Sequence, residues 1–138
     1  MADLPYAAFQ RAFQRTADGL AALYGGPVLL VGGALEDVEP RDYDVRVVVT
    51  AEELHLRYGR PMGWHFPTTE VEADVTQPWE WRQYLDERKQ SLRLSRRFRL
   101  PIDFQVWDDY EEAKAVSISG RTGVRLDAAP ARLFDSRP

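Results

Sequence analysis

Apolar side chains recur at three- and four-residue steps between residues 5 and 24, which is the pattern of an amphipathic helix. The stripe consists of Phe9, Phe13, Ala17, Leu20 and Tyr24. A Gly-Gly-Pro segment at residues 25–27 ends the helix, and the apolar run at residues 28–31 predicts a strand immediately after it. We expect the stripe of the helix to pack in the core.

A second strand is predicted at residues 43–49, where a run of β-branched residues follows a polar connection. Thr50 then has Glu53 three positions further on, which is the capping-box pattern of a helix N-terminus. The pattern predicts a short helix over residues 51–58 that ends at Gly59.

The middle of the chain is harder to interpret. The loop at residues 60–69 carries both prolines and large apolar side chains, so it either packs back on the body of the protein, which we favour, or forms a substrate lid. Residues 70–75 alternate as a short strand, although the start of a helix fits nearly as well. A long helix is predicted over residues 79–97. Along one of its faces lie Trp81, Leu85, Arg88 and Leu92.

The last third of the chain predicts one more strand and a hairpin. The strand covers residues 102–107, and a helical turn is expected at residues 111–115. Residues 116–118 and 124–126 bracket two glycines, which favours a hairpin between them.

Composition narrows the class of protein. The 138 residues correspond to one domain, residues 1–138, with 44% hydrophobic and 29% charged side chains, as in soluble globular proteins. There is no cysteine, which excludes disulfides, thiolate catalysis and zinc sites built on cysteine. No apolar run could span a bilayer, and the first residues lack the pattern of a signal peptide, so we expect a cytoplasmic protein with no membrane partner.

Charge is distributed unevenly along the chain. The net charge of −4 does not favour a dedicated nucleic-acid binder. Residues 88–99 nevertheless carry six basic side chains and no acidic one. This run is either the solvated face of a helix or a surface that attracts a triphosphate, an RNA or an acidic acceptor.

Two carboxylates at the start of the second strand are the strongest chemical signal. Asp42 and Asp44 are two positions apart, so on a strand their side chains point to the same face. Such neighbours repel each other unless a cation lies between them. Gly32 and Gly33, at the end of the first strand, allow a close approach of backbone N–H groups to an anion.

The order of these features resembles the nucleotidyltransferase superfamily that includes DNA polymerase β. The resemblance covers residues 6–108: a strand, Gly32-Gly33, an eight-residue spacer, Asp42-Tyr43-Asp44, and later Asp103 between two apolar residues. The glycine pair is similar to the tRNA CCA-adding branch, and the size is similar to minimal nucleotidyltransferases paired with HEPN-type toxins. Each position alone has a plainer explanation: a tight turn for the glycines, a turn residue after Pro40 for Asp42, and a surface residue on an edge strand for Asp103.

The resemblance implies an α/β fold, a small mixed β-sheet with helices packed on one face and the acidic site on the other. It implies magnesium- or manganese-dependent transfer of a nucleoside monophosphate from a nucleoside triphosphate such as ATP to a hydroxyl acceptor. The acceptor would be a protein, a small molecule or an RNA end. In such a site Asp42, Asp44 and Asp103 would hold the ions, and Gly32 and Gly33 would contact the triphosphate.

Two residues depart from the family pattern and leave an alternative open. Glu36 stands where the CCA-adding branch tends to have arginine. Arg46 shares the face of Asp44, where it either binds a phosphate or neutralises Asp44 as a plain ion pair. The ion pair would favour a second hypothesis, a catalytically silent domain of the same fold that acts as a binding or antitoxin-like partner.

Overall fold

The computed structural model describes residues 6–37, 39–64 and 77–128. In chain order the elements are α1 (Ala7–Tyr24), β1 (Val28–Val31), a 3₁₀ turn (Gly32–Leu35), β2 (Tyr43–Val49), α2 (Ala51–Tyr58), α3 (Pro78–Phe98), β3 (Ile102–Asp108), α4 (Asp109–Ser119) and β4 (Val124–Arg125). The predicted first helix, first two strands, capped α2, long α3 and third strand are confirmed, with ends shifted by at most two residues. No helix in the described ranges is long and apolar enough to cross a membrane.

The four strands form one mixed sheet in the order β3-β2-β1-β4. β1 is antiparallel to both β2 and β4, whereas β2 and β3 run parallel. A parallel pair needs a long connection, and here α2 and α3 lie between β2 and β3 in the chain. The predicted α/β class with a small mixed sheet is therefore confirmed.

One face of the sheet carries the hydrophobic core. The apolar stripe of α1 is buried, as predicted, together with alternate residues of the central strands, among them Val28, Leu30, Val45, Val47, Phe104 and Val106. The carboxylate of Asp86 in α3 accepts hydrogen bonds from Tyr24 of α1 at 2.8 Å and from Tyr58 of α2 at 2.5 Å. This shared acceptor ties the three helices together on the core side.

The final helix is longer than the sequence suggested, and the predicted hairpin is wrong. Asp108 accepts a hydrogen bond from the Glu111 N–H at 2.6 Å, and the Glu111 carboxylate accepts one from the Asp108 N–H at 2.9 Å. This capping box starts α4, which continues until Gly120 adopts the left-handed conformation. Residues 116–118 are therefore helical, and β4 pairs with β1 instead.

Part of the loop after α2 packs on the body of the protein. Arg60 is buried, and the Trp64 ring meets the Trp79 ring edge-on at 4.7 Å between centroids. The Arg60 guanidinium donates a hydrogen bond to the Glu111 carboxylate at 2.9 Å, which links this loop to the start of α4. The predictions for residues 65–69, including a substrate lid, and for the strand at 70–75 lie outside the described residues.

Side chains of α3 close the outer edge of β3. They come from every fourth position of the helix, Gln83, Glu87, Ser91 and Ser95. The Ser95 hydroxyl accepts from the Ile102 N–H at 2.9 Å and donates to the Ile102 carbonyl at 3.1 Å, while Ser91 accepts from the Phe104 N–H at 2.8 Å. An edge strand has backbone N–H and C=O groups that no neighbouring strand pairs with, and these side chains of α3 hydrogen-bond to them instead.

We call this row of contacts between α3 and β3 the edge ladder, and its third side chain, after Ser95 and Ser91, is the carboxylate of Glu87. Glu87 accepts a hydrogen bond from the Val106 N–H at 2.8 Å, and Gln83 donates to the Val106 carbonyl at 2.9 Å. The pKa of Glu87 is raised to about 8, first because burial between α3 and β3 disfavours the charged form and also because of the charges of Asp103 and Asp86, while the hydrogen bonds that Glu87 accepts oppose the shift. Ionisation of this group therefore opposes folding.

We expect the protein to lose stability as the pH rises from about 4.5 toward about 8, because folded Glu87 keeps its proton after the unfolded chain has released it. The contribution is fully present below the unfolded pKa and is lost as the pH passes through the folded pKa. Glu87→Gln should flatten this part of the profile of unfolding free energy against pH, measured by urea titration. The exposed Glu52→Gln is the control, and an unchanged slope in Glu87→Gln would refute the prediction.

Candidate active site

Parallel pairing of β2 and β3 sets Asp44 directly opposite Asp103. Their neighbours on either side, such as Val45 and Phe104, are buried in the core, so the two carboxylates lie on the other face of the sheet. Asp42 is exposed and precedes β2 by one residue. The structure thus brings Asp44 and Asp103 together and leaves Asp42 at the entrance of the strand.

Burial and neighbouring negative charges raise the pKa of both carboxyl groups of the pair. The pKa of Asp44 is raised, first by burial and then by the negative charges of Asp103 and Asp42, while Arg46 lowers it. The pKa of Asp103 is raised by burial and by the charge of Asp42. Because Asp42 acts on both, the three carboxylates share one region of negative potential.

A divalent cation suits the chemistry of this pair, since carboxylate oxygens are its preferred ligands and its charge would relieve the repulsion. Within residues 6–37, 39–64 and 77–128, however, no group of three or more His, Asp and Glu side chains is arranged so that it could hold a metal ion. The donor set that the structure provides is therefore the pair Asp44 and Asp103, with Asp42 contributing charge.

The glycine turn lies against Asp44. Gly32 opens the 3₁₀ turn with φ at 76°, in the region that favours glycine, and a Cβ placed there would lie 2.7 Å from the Asp44 Oδ2 atom. A side chain at Gly32 would displace the carboxylate. At Gly33 the nearest atom to a new Cβ is the Asp37 Oδ2 atom at 3.4 Å, and that side chain is exposed.

Arg46 is held by residues other than Asp44. Its guanidinium donates to the Glu112 carboxylate at 2.6 Å and stacks over the Trp107 ring at 3.3 Å from the centroid. The side chains of Arg46 and Glu112 are only 13% and 14% exposed, so solvent screens this pair weakly. In the described part of the chain Arg46 forms no ion pair with Asp44, although its charge still lowers the pKa of that carboxyl.

A row of polar contacts links Asp103 to Arg46 along β3. Gln105 donates to the Asp103 carboxylate at 3.3 Å and accepts from the indole N–H of Trp107 at 3.0 Å, and Trp107 carries the stacked guanidinium of Arg46. Gln105, Trp107 and Glu112 were not among the site residues predicted from the sequence. Strand alternation from Asp103 could have indicated the first two.

A pocket of about 440 Å³ opens between the glycine turn, β2 and α4. Ligand pockets in proteins measure roughly 300–1,000 Å³, so this one has room for a small organic molecule. Its polar lining includes Asp44, Arg46, Glu112 and Arg121, and its apolar lining comes mainly from Val31, Leu35, Ala115 and Val116. Glu36, which departs from the family pattern, forms an exposed ion pair with Arg121 at 2.7 Å.

The two glycines should differ in their tolerance of a methyl group. We expect Gly32→Ala to cost roughly 1–2 kcal/mol of stability from the left-handed backbone alone, and to move the Asp44 carboxylate as well. Gly33→Ala is the matched control, because its new Cβ meets only a movable exposed side chain. Thermal unfolding of both variants measures the difference, and equal losses would contradict this account of the turn.

Comparison with known proteins adds no family assignment: no protein family, no curated protein and no solved structure matches the chain. The acidic face of the sheet, which consists of Asp42, Asp44 and Asp103, and the pocket beside it are therefore the features that indicate a function.

Proposed function

We propose that the protein transfers a nucleoside monophosphate from a nucleoside triphosphate to a hydroxyl acceptor, with a divalent cation at the acidic face. The observation that carries the proposal is the register of β2 and β3, which opposes Asp44 to Asp103 beside a glycine turn and a ligand-sized pocket. This combination supports the resemblance to nucleotidyltransferases that the sequence predicts. We place the reaction in the cytoplasm.

Asp44 and Asp103 would hold the ion, and Asp42 would add negative charge at the same end of the sheet. Bound magnesium or manganese would lower the pKa of the attacking hydroxyl and stabilise charge on the phosphates. Of the pair, Asp103 is the more exposed and lies on the edge strand of the sheet, where an acceptor hydroxyl can reach it. We therefore assign to Asp103 the proton of the acceptor hydroxyl.

The triphosphate would lie between the glycine turn and α4. Gly32, Arg46 and Arg121 line this space. The backbone N–H group of Gly32, with that of Gly33 next to it in the turn, and the two guanidinium groups would bind the phosphates. Trp107 and Glu112 hold Arg46 in one orientation, so little conformational entropy is lost when it contacts a phosphate. Arg121 supplies a second cation near the place where the family pattern led us to expect one from residue 36.

The alternative is a catalytically silent domain of this fold that acts as a binding or antitoxin-like partner. It would be favoured if Arg46 neutralised Asp44 and took the place of an ion. The contacts of Arg46 with Glu112 and Trp107 argue against that arrangement. The two functions differ in their response to metal and to nucleotide, which the following experiments measure.

Magnesium or manganese should raise the melting temperature, because an ion bound only by the folded protein relieves the repulsion at Asp44 and Asp103. Asp44→Asn should melt higher than the wild type without metal and should lose the response to metal. Glu52→Gln, far from the acidic face in the exposed first turn of α2, is the control. If neither ion changes the melting temperature of the wild-type protein, the result would support the hypothesis of a catalytically silent domain.

Arg46→Ala should weaken binding of a non-hydrolysable nucleoside triphosphate in the presence of magnesium. A charge-assisted contact is worth roughly 1.5–3 kcal/mol, or about one to two powers of ten in affinity. Isothermal titration measures the change, with Arg15→Ala on the exposed side of α1 as the control. The proposal fails if the wild type binds no nucleotide with metal present, while Arg46→Ala gains affinity for the metal.

Transfer to water tests the chemistry without knowledge of the natural acceptor. The wild type should slowly hydrolyse an α-labelled nucleoside triphosphate to labelled nucleoside monophosphate and unlabelled pyrophosphate, and only when a divalent cation is present. Asp44→Asn and Asp103→Asn should each abolish the release.

A further inference from the structure

The outward face of α3 exposes large apolar side chains along a straight stripe. Trp81, Leu85 and Leu92 are 47%, 57% and 47% exposed, although the sequence pattern alone would allow a core role for them. Leu85 and Leu92 are seven residues apart, which is two helical turns and about 10.5 Å along the axis. The stripe has the spacing of one side of a helix–helix seam.

Basic side chains flank this stripe on both sides. Arg88 stands on one side, and Lys89, Arg93, Arg96 and Arg97 stand on the other, around a surface trough of about 790 Å³ along α3. The lining of this trough contains no acidic residue. Arg93 and Arg97 also line the neighbouring pocket against α1, so the positive surface extends beyond α3.

In the part of the chain that the structure describes, the fold does not use this face of α3. The opposite side of α3 contributes Leu94 to the core and Gln83, Glu87, Ser91 and Ser95 to the edge of β3. Adjoining exposed apolar side chains that are rimmed by polar residues are a feature of interaction surfaces.

We propose that this face of α3 binds an acidic amphipathic helix of a partner protein. Leucine side chains of the partner would pack along Trp81, Leu85 and Leu92, and glutamates or aspartates beside them would pair with Arg88 and Lys89 or Arg96. The proposal does not depend on the proposed enzymatic function.

The chemistry of the face favours this occupant over three others. A nucleic-acid backbone would meet the arginines but would gain nothing from two aliphatic leucines in their midst. A lipid surface is flat, whereas the leucines lie in a trough whose walls are basic side chains. The same face of a second copy would repel it, because both carry positive charge.

The test is binding of a fluorescein-labelled synthetic peptide of about three heptads with leucine at positions a and d and glutamate at e and g. Fluorescence anisotropy should show saturable binding to the wild-type protein. A peptide with lysine at e and g, and one with serine at a and d, should bind about tenfold more weakly or not at all.

Two double variants locate the site. Leu85→Ser with Leu92→Ser, and Lys89→Glu with Arg96→Glu, should each weaken binding of the acidic peptide about tenfold or more. Leu56→Ser, at an exposed leucine of α2, and Lys114→Glu, at an exposed lysine of α4, should leave it unchanged. Circular dichroism melting confirms that the variants remain folded.

Three results would overturn the proposal. One is equal binding of the acidic and basic peptides, and another is loss of peptide binding in the control variants but not in the α3 variants. The third is tighter binding of polyuridine RNA or of phosphatidylserine vesicles that the α3 variants abolish, because it would assign the face to a nucleic acid or to a membrane.

Discussion

The geometry of the acidic face depends on the contact between α3 and the outer edge of β3. Ser95, Ser91 and Glu87 satisfy the N–H groups that β3 would otherwise leave unpaired, so the strand is fixed on one side by a helix and on the other by β2. In the register of the β2–β3 pair, Asp103 lies opposite Asp44. The same strand, β3, thus binds α3 along its outer edge and carries Asp103 of the proposed site.

At the acidic face, the folded protein disfavours the charged form of two carboxyl groups. Burial and nearby negative charge raise the pKa of both Asp44 and Asp103, and the guanidinium of Arg46, which lowers the pKa of Asp44, is hydrogen-bonded to Glu112. Carboxyl groups with shifted pKa values are over-represented at functional sites, because a bound ligand of opposite charge can stabilise their charged form. Here a bound cation would compensate the charges of Asp44 and Asp103, and the phosphates of a nucleotide would contact Arg46.

Much of the fold follows from local sequence patterns. The stripe of α1, the Thr50 cap and the alternation of β2 were predictable because each depends on residues a few positions apart. The hairpin prediction failed because valine, isoleucine and serine at 116–118 favour a strand by composition, while the Asp108–Glu111 capping box had already started a helix.

The candidate site could be predicted only in part. Spacing put Asp44 and Arg46 on one face, but the partner of Arg46 lies 66 residues further along the chain at Glu112, where no local pattern points to it. The role of Glu87 was also missed, since a carboxylate in a helix gives no sign that it will be buried against a strand edge.

The most direct measurement is the anomalous scattering of manganese in crystals of the protein grown with a non-hydrolysable nucleoside triphosphate. The account predicts a manganese peak between the carboxylates of Asp44 and Asp103, with phosphate oxygens beside the Gly32 turn and the guanidinium of Arg46. It is contradicted if the carboxylates bind no ion under these conditions and Arg46 turns from Glu112 to pair with Asp44.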